Sequence, residues 1–315
     1  MTKKIIIILA LLFISFIFFQ YFYGGNPKTV QPNSNFEIVA HRGVHQNYHK
    51  KNMNWHSTCT AKRIYEPTHD YLENTIESIQ AAFDLGATII EIDINSTSDN
   101  HIVLFHDWML DCRTEAQGKI SDFSLEYLKT LDVGYGYTFD EGKTFPFRGK
   151  GVGKMPTLIK VMQKFPDKKF FIDHKDGSQK TAELLVEVIK SLPKDQQNRF
   201  YYWGREKTFK YINAEIPNVK RLFCNRGQMK KWFKRYLLTF GFGGFPDESQ
   251  GYVIGMPPKY LKILWGWPYR FLNKVHKADA KFYLMIDKAE DAKKYASFPV
   301  DGIMTDYIEV VGKYY

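Results

Sequence analysis

"TIIEIDIN", residues 88–95, is a β-branched, largely apolar run interrupted by two carboxylates, Glu91 and Asp93. Residues two apart on a strand point to the same side, so the two acids project together. Working outward, similar runs recur along the chain: 36–40, 101–105, 168–174, 199–203, 220–224, 251–256, 281–286 and 301–305. Helical periodicity separates most of them, notably in NTIESIQAAFDLG, SLEYLKTLD, TLIKVMQKF and QKTAELLVEVIKSL. Nearly continuous apolar strands with helices between them predict a parallel sheet covered on both faces. A TIM (β/α)8 barrel follows as the expected α/β architecture, with nine candidate strands for eight places. Such a barrel gathers its functional residues at the strand C-termini.

Polar residues do cluster at those ends. His41 and Arg42 follow the first run, His106 and Asp107 end the third, and Asp173 and Lys175 share one side at the end of the fourth. Grouped carboxylates inside a barrel are costly unless compensated. A hard divalent cation bound by oxygen ligands would compensate them. A salt-bridge network with Arg42 and Lys175 is the alternative.

The chain has 315 residues, 44% hydrophobic and 16% aromatic, an ordinary globular composition that leaves one large or two modest domains open. Its formal charge of +10 suits nucleic acid, an anionic membrane or a phosphorylated substrate without choosing among them. No repeat or low-complexity tract is present. Residues 5–23, IIIILALLFISFIFFQYFY, are uncharged and long enough to cross a bilayer as a helix. The exit QYFYGGN lacks the small-residue pattern of a cleaved signal peptide, which favours an uncleaved anchor over 1–23. Lys3 and Lys4 before the span favour a cytoplasmic N-terminus, with the rest of the chain outside the cytoplasm, periplasmic or extracellular. Residues 24–35 read as a polar linker to a catalytic domain over 36–315.

HRG at 41–43, LENT at 72–75, EID at 91–93, FHD at 105–107, DCRTEAQGKISDFSLEYLKTLD at 111–132, MPTL at 155–158 and VDGIMTDY at 300–307 together resemble, in order and spacing, the glycerophosphodiester phosphodiesterase family. Any one of these motifs is weak, but seven in register over residues 37–310 are specific. The resemblance implies a TIM barrel of the phospholipase C-like phosphodiesterase type, a divalent metal, and hydrolysis of glycerophosphodiesters to glycerol phosphate and an alcohol. His41 and His106 match the family's catalytic histidines, whose near-neutral pKa suits proton exchange. Glu91 and Asp93 match two metal ligands. The third is a glutamate in most of the family; Asp173 stands there here, as in the related spider-venom phospholipase D enzymes. Arg42 and Lys175 would hold the phosphate, the arginine as a fork and the lysine as a point charge. Oxygen ligands without cysteine point to Mg²⁺ or Ca²⁺, with Mn²⁺ also admissible. A glycerophosphodiester and, through the N-terminal helix, the membrane are the expected partners; no nucleic acid is expected. A phospholipase D-like enzyme acting on lysophospholipids or sphingolipids at the membrane is the alternative.

The chain also departs from the pattern. Leu284 replaces a tryptophan common in the family, and residues 44–71 form a long insertion rich in His, Tyr, Asn and Lys. The histidine spacing in the insertion fits no tight zinc pattern. Glu73 and Asn74 precede a helix and read chiefly as caps, with a place behind the metal ligands as the alternative for Glu73. Gly43 is expected to allow a tight turn beside the ligand. The basic segment 228–240 and the aromatic run 265–271 suit either an anionic membrane or ordinary packing. Of three cysteines, Cys224 ends an apolar run and reads as a buried thiol. Cys59 in the insertion and Cys112 after FHD lie in loops that leave the same rim of a barrel, so a Cys59–Cys112 disulfide is expected.

Overall fold

The computed structural model describes residues 3–25, 35–53 and 59–314. Most of the expected linker and His56 lie outside these residues. The elements run α1 Lys3–Phe22, β1 Glu37–Ala40, α2 Ile76–Asp84, β2 Ile89–Ser96, β3 Ile102–Leu104, α3 Leu125–Leu128, α4 Leu158–Lys164, β4 Lys169–His174 and α5 Gln179–Ser191. They continue as β5 Phe200–Trp203, α6 Glu206–Glu215, α7 Arg226–Leu238, β6 Val253–Met256, α8 Tyr269–His276, β7 Lys281–Ile286, α9 Ala289–Tyr295, β8 Gly302–Thr305 and α10 Ile308–Val311. This is the strand-and-helix order of a TIM barrel. The chain falls into two compact units, one of residues 38–222 and 305–315, the other of residues 1–37 and 223–304.

In the larger unit β2 is buried along its whole length and pairs in parallel with β1 and β4, while β5 pairs in parallel with β4. The register sets Asp93 beside Asp173 and Ile94 beside His174. β3 turns back antiparallel on β2, with Ile94 opposite Leu104, and that sets it apart from the parallel strands. The expected strand at 220–224 forms no ladder. It makes single parallel bridges, Lys220 to Tyr201 in the larger unit and Phe223 to Val253 in the smaller, before Asn225 caps α7 and ends the extended chain. In the smaller unit β6 pairs in parallel with β7, which neighbours β8.

Side-chain caps start the helices that frame the larger unit's strands: Thr75 accepts from Ser78 N, Thr157 from Lys160 N and Ser178 from Thr181 N. The capping expected of Glu73 and Asn74 is thereby corrected, because Thr75 fills that role and frees both side chains for the site. Gly43 sits at φ +75°, and a Cβ there would come within 2.3 Å of Ser78 Oγ on α2. Close helix approach therefore also requires the glycine.

The described residues of the insertion are folded against the loops after β3. Tyr48 bridges to Ile64, and Tyr48, Ala61, Ile64 and Leu72 pack with Phe105, Leu110, Tyr137 and Phe147 in one apolar cluster. Cys59 and Cys112 are disulfide-bonded, and Cys224 is a buried free thiol, as expected.

Candidate active site

Asp93 lies at the centre of the larger unit's polar cluster and is fully buried. Together with Glu91 and Asp173 it offers carboxylate oxygens that all lie within 4.8 Å of one another. Asn74 holds it from two directions: its Nδ2 donates to Asp93 Oδ2 (2.7 Å) and its Oδ1 accepts from Asp93 N (3.0 Å). Asp93 Oδ1 accepts no aligned hydrogen bond, although Lys175 Nζ lies 2.8 Å away; the same ammonium is 2.5 Å from Asp173 Oδ2. Burial and the neighbouring Asp93 push the Glu91 carboxyl well above its ordinary range. For Asp93, burial works in the same upward sense but is outweighed by Lys175, His106 and Arg42, which hold it low. One lysine and one arginine thus face three carboxylates, and without a further cation the shortfall is met by favouring the protonated form of Glu91.

Arg42 reaches this cluster through a left-handed backbone, φ 59°, unusual for a residue other than glycine. That kink turns its N–H onto Glu91 Oε2 at 2.9 Å. Its guanidinium pairs with Glu73 (3.3 Å) and Asp93 (3.6 Å), and these acids raise its pKa against the effect of burial. Both the salt-bridge network weighed against a metal and the three-carboxylate cluster are thus present, interlocked.

Two histidine–aspartate pairs border the carboxylates. His41 Nδ1 lies 2.6 Å from Asp306 Oδ1, at the end of β8, while its Nε2 accepts from Arg42 Nε at 3.3 Å and faces Glu91 Oε2 at 3.9 Å. These contacts assign the proton to Nδ1 and leave Nε2 with a lone pair. His106 Nδ1 lies 2.6 Å from Asp107 Oδ1. The β2–β3 hairpin delivers His106: Phe105 N bonds Asp93 O, and Asn95 Nδ2 bonds the carbonyls of Phe105 and Asp107. Burial, then Arg42, lowers the pKa of both histidines, that of His106 to about 4.

Sequence reasoning missed several members. Asp306 lies 265 positions from its partner His41; its signal was an acid directly after an apolar run in VDGIMTDY. The insertion brings His45, whose Nε2 is 3.5 Å from Asp306 Oδ1, and Lys50, whose Nζ is 2.6 Å from Asp306 Oδ2. Arg113, 1% exposed, ties the parts together by donating to Glu73, to Asp107 and to Thr60 Oγ1. Thr60 and Arg113 are the residues next to Cys59 and Cys112, so the disulfide fixes this contact.

The sequence matches the profile of the "Glycerophosphoryl diester phosphodiesterase family" over residues 41–310. The chain belongs to that family. A glycerophosphodiester phosphodiesterase of Caldanaerobacter subterraneus subsp. tengcongensis is 39% identical over 244 residues, 74% of this chain and 88% of that one. A human lysophospholipase D is 28% identical over 205 residues, 61% of this chain and 59% of that one. Among solved structures, a glycerophosphoryl diester phosphodiesterase domain from Mycobacterium tuberculosis superposes with a TM-score of 0.64 at 16% identity, covering 89% of this chain and 99% of that one. A phosphodiesterase of Oleispira antarctica, in complex with the product sn-glycerol-3-phosphate, gives a TM-score of 0.56 at 19% identity over 88% and 96% of the two chains. The family membership makes this chain a phosphoric diester hydrolase acting on glycerophosphodiesters, with the family's TIM-barrel fold.

Proposed function

We propose that this glycerophosphodiester phosphodiesterase holds a divalent cation on Glu91, Asp93 and Asp173 and exchanges protons through His41 and His106. The donor set suits a hard ion, Mg²⁺, Ca²⁺ or Mn²⁺, because it is all carboxylate. Asp93 Oδ1, buried without an aligned donor, is an atom of this donor set that a cation would satisfy. The ion, when bound, supplies Lewis-acid polarisation of the phosphodiester. Arg42 and Lys175, the cations beside the carboxylates, meet the charge that builds on the phosphoryl oxygens. His41 has an Nε2 lone pair that accepts from Arg42 Nε and a carboxylate on its other nitrogen; His106 has the same carboxylate support. One takes the proton of the attacking water or substrate hydroxyl, and the other, in its imidazolium form, gives its Nε2 proton to the departing alcohol. The single observation that carries this reading is the pair of histidine–aspartate couples flanking one three-carboxylate cluster, two of whose members are buried.

In this reading residues 1–23 anchor the protein, 24–35 link, and 36–315 form the catalytic barrel. α1 has 20 residues, about 30 Å of helix, enough to span the hydrocarbon core. Lys3 and Lys4 favour a cytoplasmic N-terminus, and the Cys59–Cys112 disulfide suits a domain outside the cytoplasm. The anchor also favours a second reading, a phospholipase D-type enzyme that releases the headgroup of lysophospholipids in the bilayer. The test is a substrate panel for the full chain. Glycerophosphocholine and glycerophosphoethanolamine turned over faster than the matching lysolipids supports the first reading; the reverse order supports the second.

A further inference from the structure

The smaller unit carries a segment that the catalytic reading does not use. Between Tyr236 and Pro246 the chain reads LLTFGFGGF with no charged side chain. It leaves the end of α7 as a tight loop in which Leu238 is 68% exposed and Phe242 55% exposed. α1 lies along this loop: Phe16 stacks on Phe242 with ring centroids 5.7 Å apart, and Phe13 meets Phe240 edge-on at 6.3 Å. Farther along α1, Tyr21 meets Trp265, and past the end of the helix Gly24 O accepts from Arg270 N.

We propose that the 237–243 loop inserts into the outer leaflet of the membrane beside α1, as a second, non-spanning membrane contact. The proposal rests on the reading of α1 as an anchor. Phe16 and Phe13 precede Tyr23, the end of the apolar run, by seven and ten residues. At a helical rise of 1.5 Å per residue they lie about 10 and 15 Å inside the span. Side chains stacked on them share that depth, which is the acyl-chain region of one leaflet.

The loop is built for such a solvent. Backbone N–H groups in lipid need internal partners. Here Phe240 N bonds Leu237 O, Gly241 N bonds Tyr236 O, Phe242 N bonds Thr239 O, and Gly243 N bonds Thr239 Oγ1. Gly241, at φ +75°, makes the turn possible; a Cβ there would meet the Trp265 side chain at 2.6 Å. Upstream on α7, exposed Lys230, Lys234 and Arg235, beside a Lys231 that pairs with Glu248, supply the basic collar that anionic headgroups favour at an interface. Packing against α1 alone does not account for the loop, because Leu238 and Phe242 stay exposed with α1 in place.

The test places a fluorophore on Phe242→Cys, and separately on Leu238→Cys, in the full chain reconstituted in nanodiscs of phosphatidylcholine and phosphatidylglycerol. Native Cys224 is buried and the other cysteines are paired, so the parent chain labelled identically serves as the blank. A label on Leu12→Cys reports the anchor itself. Retained phosphodiesterase activity confirms that each labelled chain is folded. The expected result is loss of fluorescence to acyl-chain nitroxide lipids and none to aqueous iodide at all three positions. Lipid quenching at 12 with iodide quenching at 238 and 242 overturns the insertion and leaves the anchor standing. Iodide quenching at all three overturns both.

Discussion

His41 and His106 each spend one ring nitrogen on an aspartate, at 2.6 Å in both cases, and in the proposed mechanism the other nitrogen exchanges the proton. Replacing either by alanine is expected to lower turnover by about 10²- to 10⁴-fold, the usual worth of acid–base catalysis, with the thermal unfolding profile unchanged. Steady-state kinetics with glycerophosphocholine checks it, and near-wild-type turnover by either variant refutes that residue's role. In the proposed mechanism Asp306 acts through His41, whose Nδ1 it holds. Asp306→Asn should therefore lower kcat by part of the about 10²- to 10⁴-fold of acid–base catalysis while KM stays close to the parent value. A change confined to KM would instead assign Asp306 to substrate binding. The histidines, Glu91, Asp93 and Asp173 were legible in sequence because each follows or lies within an apolar strand. Asp306, His45 and Lys50 were not, because nothing local links Asp306 to partners more than 250 positions away.

At the scale of elements, the β4–α5 junction shows how a strand end is locked. Asp176 accepts from His174 Nε2, from Ser178 N, and from the hydroxyls of Ser178 and Thr181. Burial favours the neutral acid, but the bonds from His174 and Ser178 outweigh it and hold Asp176 to about 2, below an ordinary 3.8. A carboxylate depressed in the folded state stabilises fully above its unfolded pKa and loses that contribution as pH falls through the folded value. Asp176→Asn is thus expected to cost about 2 kcal/mol at neutral pH, the scale of hydrogen bonds to a charged group. The difference from the parent should shrink as pH falls from about 4 towards 2. Urea unfolding at several pH values checks it; a cost that does not vary with pH contradicts the assignment. Misreadings at this scale have physical causes. The run 220–224 has strand composition, yet Asn225 claims the next residue for a capping box with Gln228 and leaves only isolated bridges. Glu73 and Asn74 sit where caps belong, but Thr75 is one step nearer the helix, and buried Arg42, Arg113 and Asp93 compete for the other two.

For the whole molecule, alternation of apolar strands and helices was enough to predict an α/β class with a parallel sheet, of which the barrel was the expected member. The folded insertion was less legible, because its order comes from contacts with distant loops and from one covalent tie. The Cys59–Cys112 bridge spans 53 positions, and closing a loop of that length is worth about 4 kcal/mol in the chain-entropy model. Cys59→Ser with Cys112→Ser should lower stability by about that amount. It should also lower activity, since Thr60 would no longer be held on Arg113, which in turn orients Asp107 and Glu73. Denaturant melts and kinetics of the double variant check this; full activity at reduced stability would confine the bridge to a stabilising role.

The central claim is that the buried carboxylates exist to hold a divalent cation that the reaction requires. Turnover of glycerophosphocholine by the full chain, measured after removal of metal with a chelator and then on addition of Mg²⁺, Ca²⁺ or Mn²⁺ separately, tests it most directly. The account predicts loss of activity on chelation and recovery with at least one of the three ions in the parent chain, and no recovery in Asp93→Asn. Turnover that survives complete chelation would contradict it.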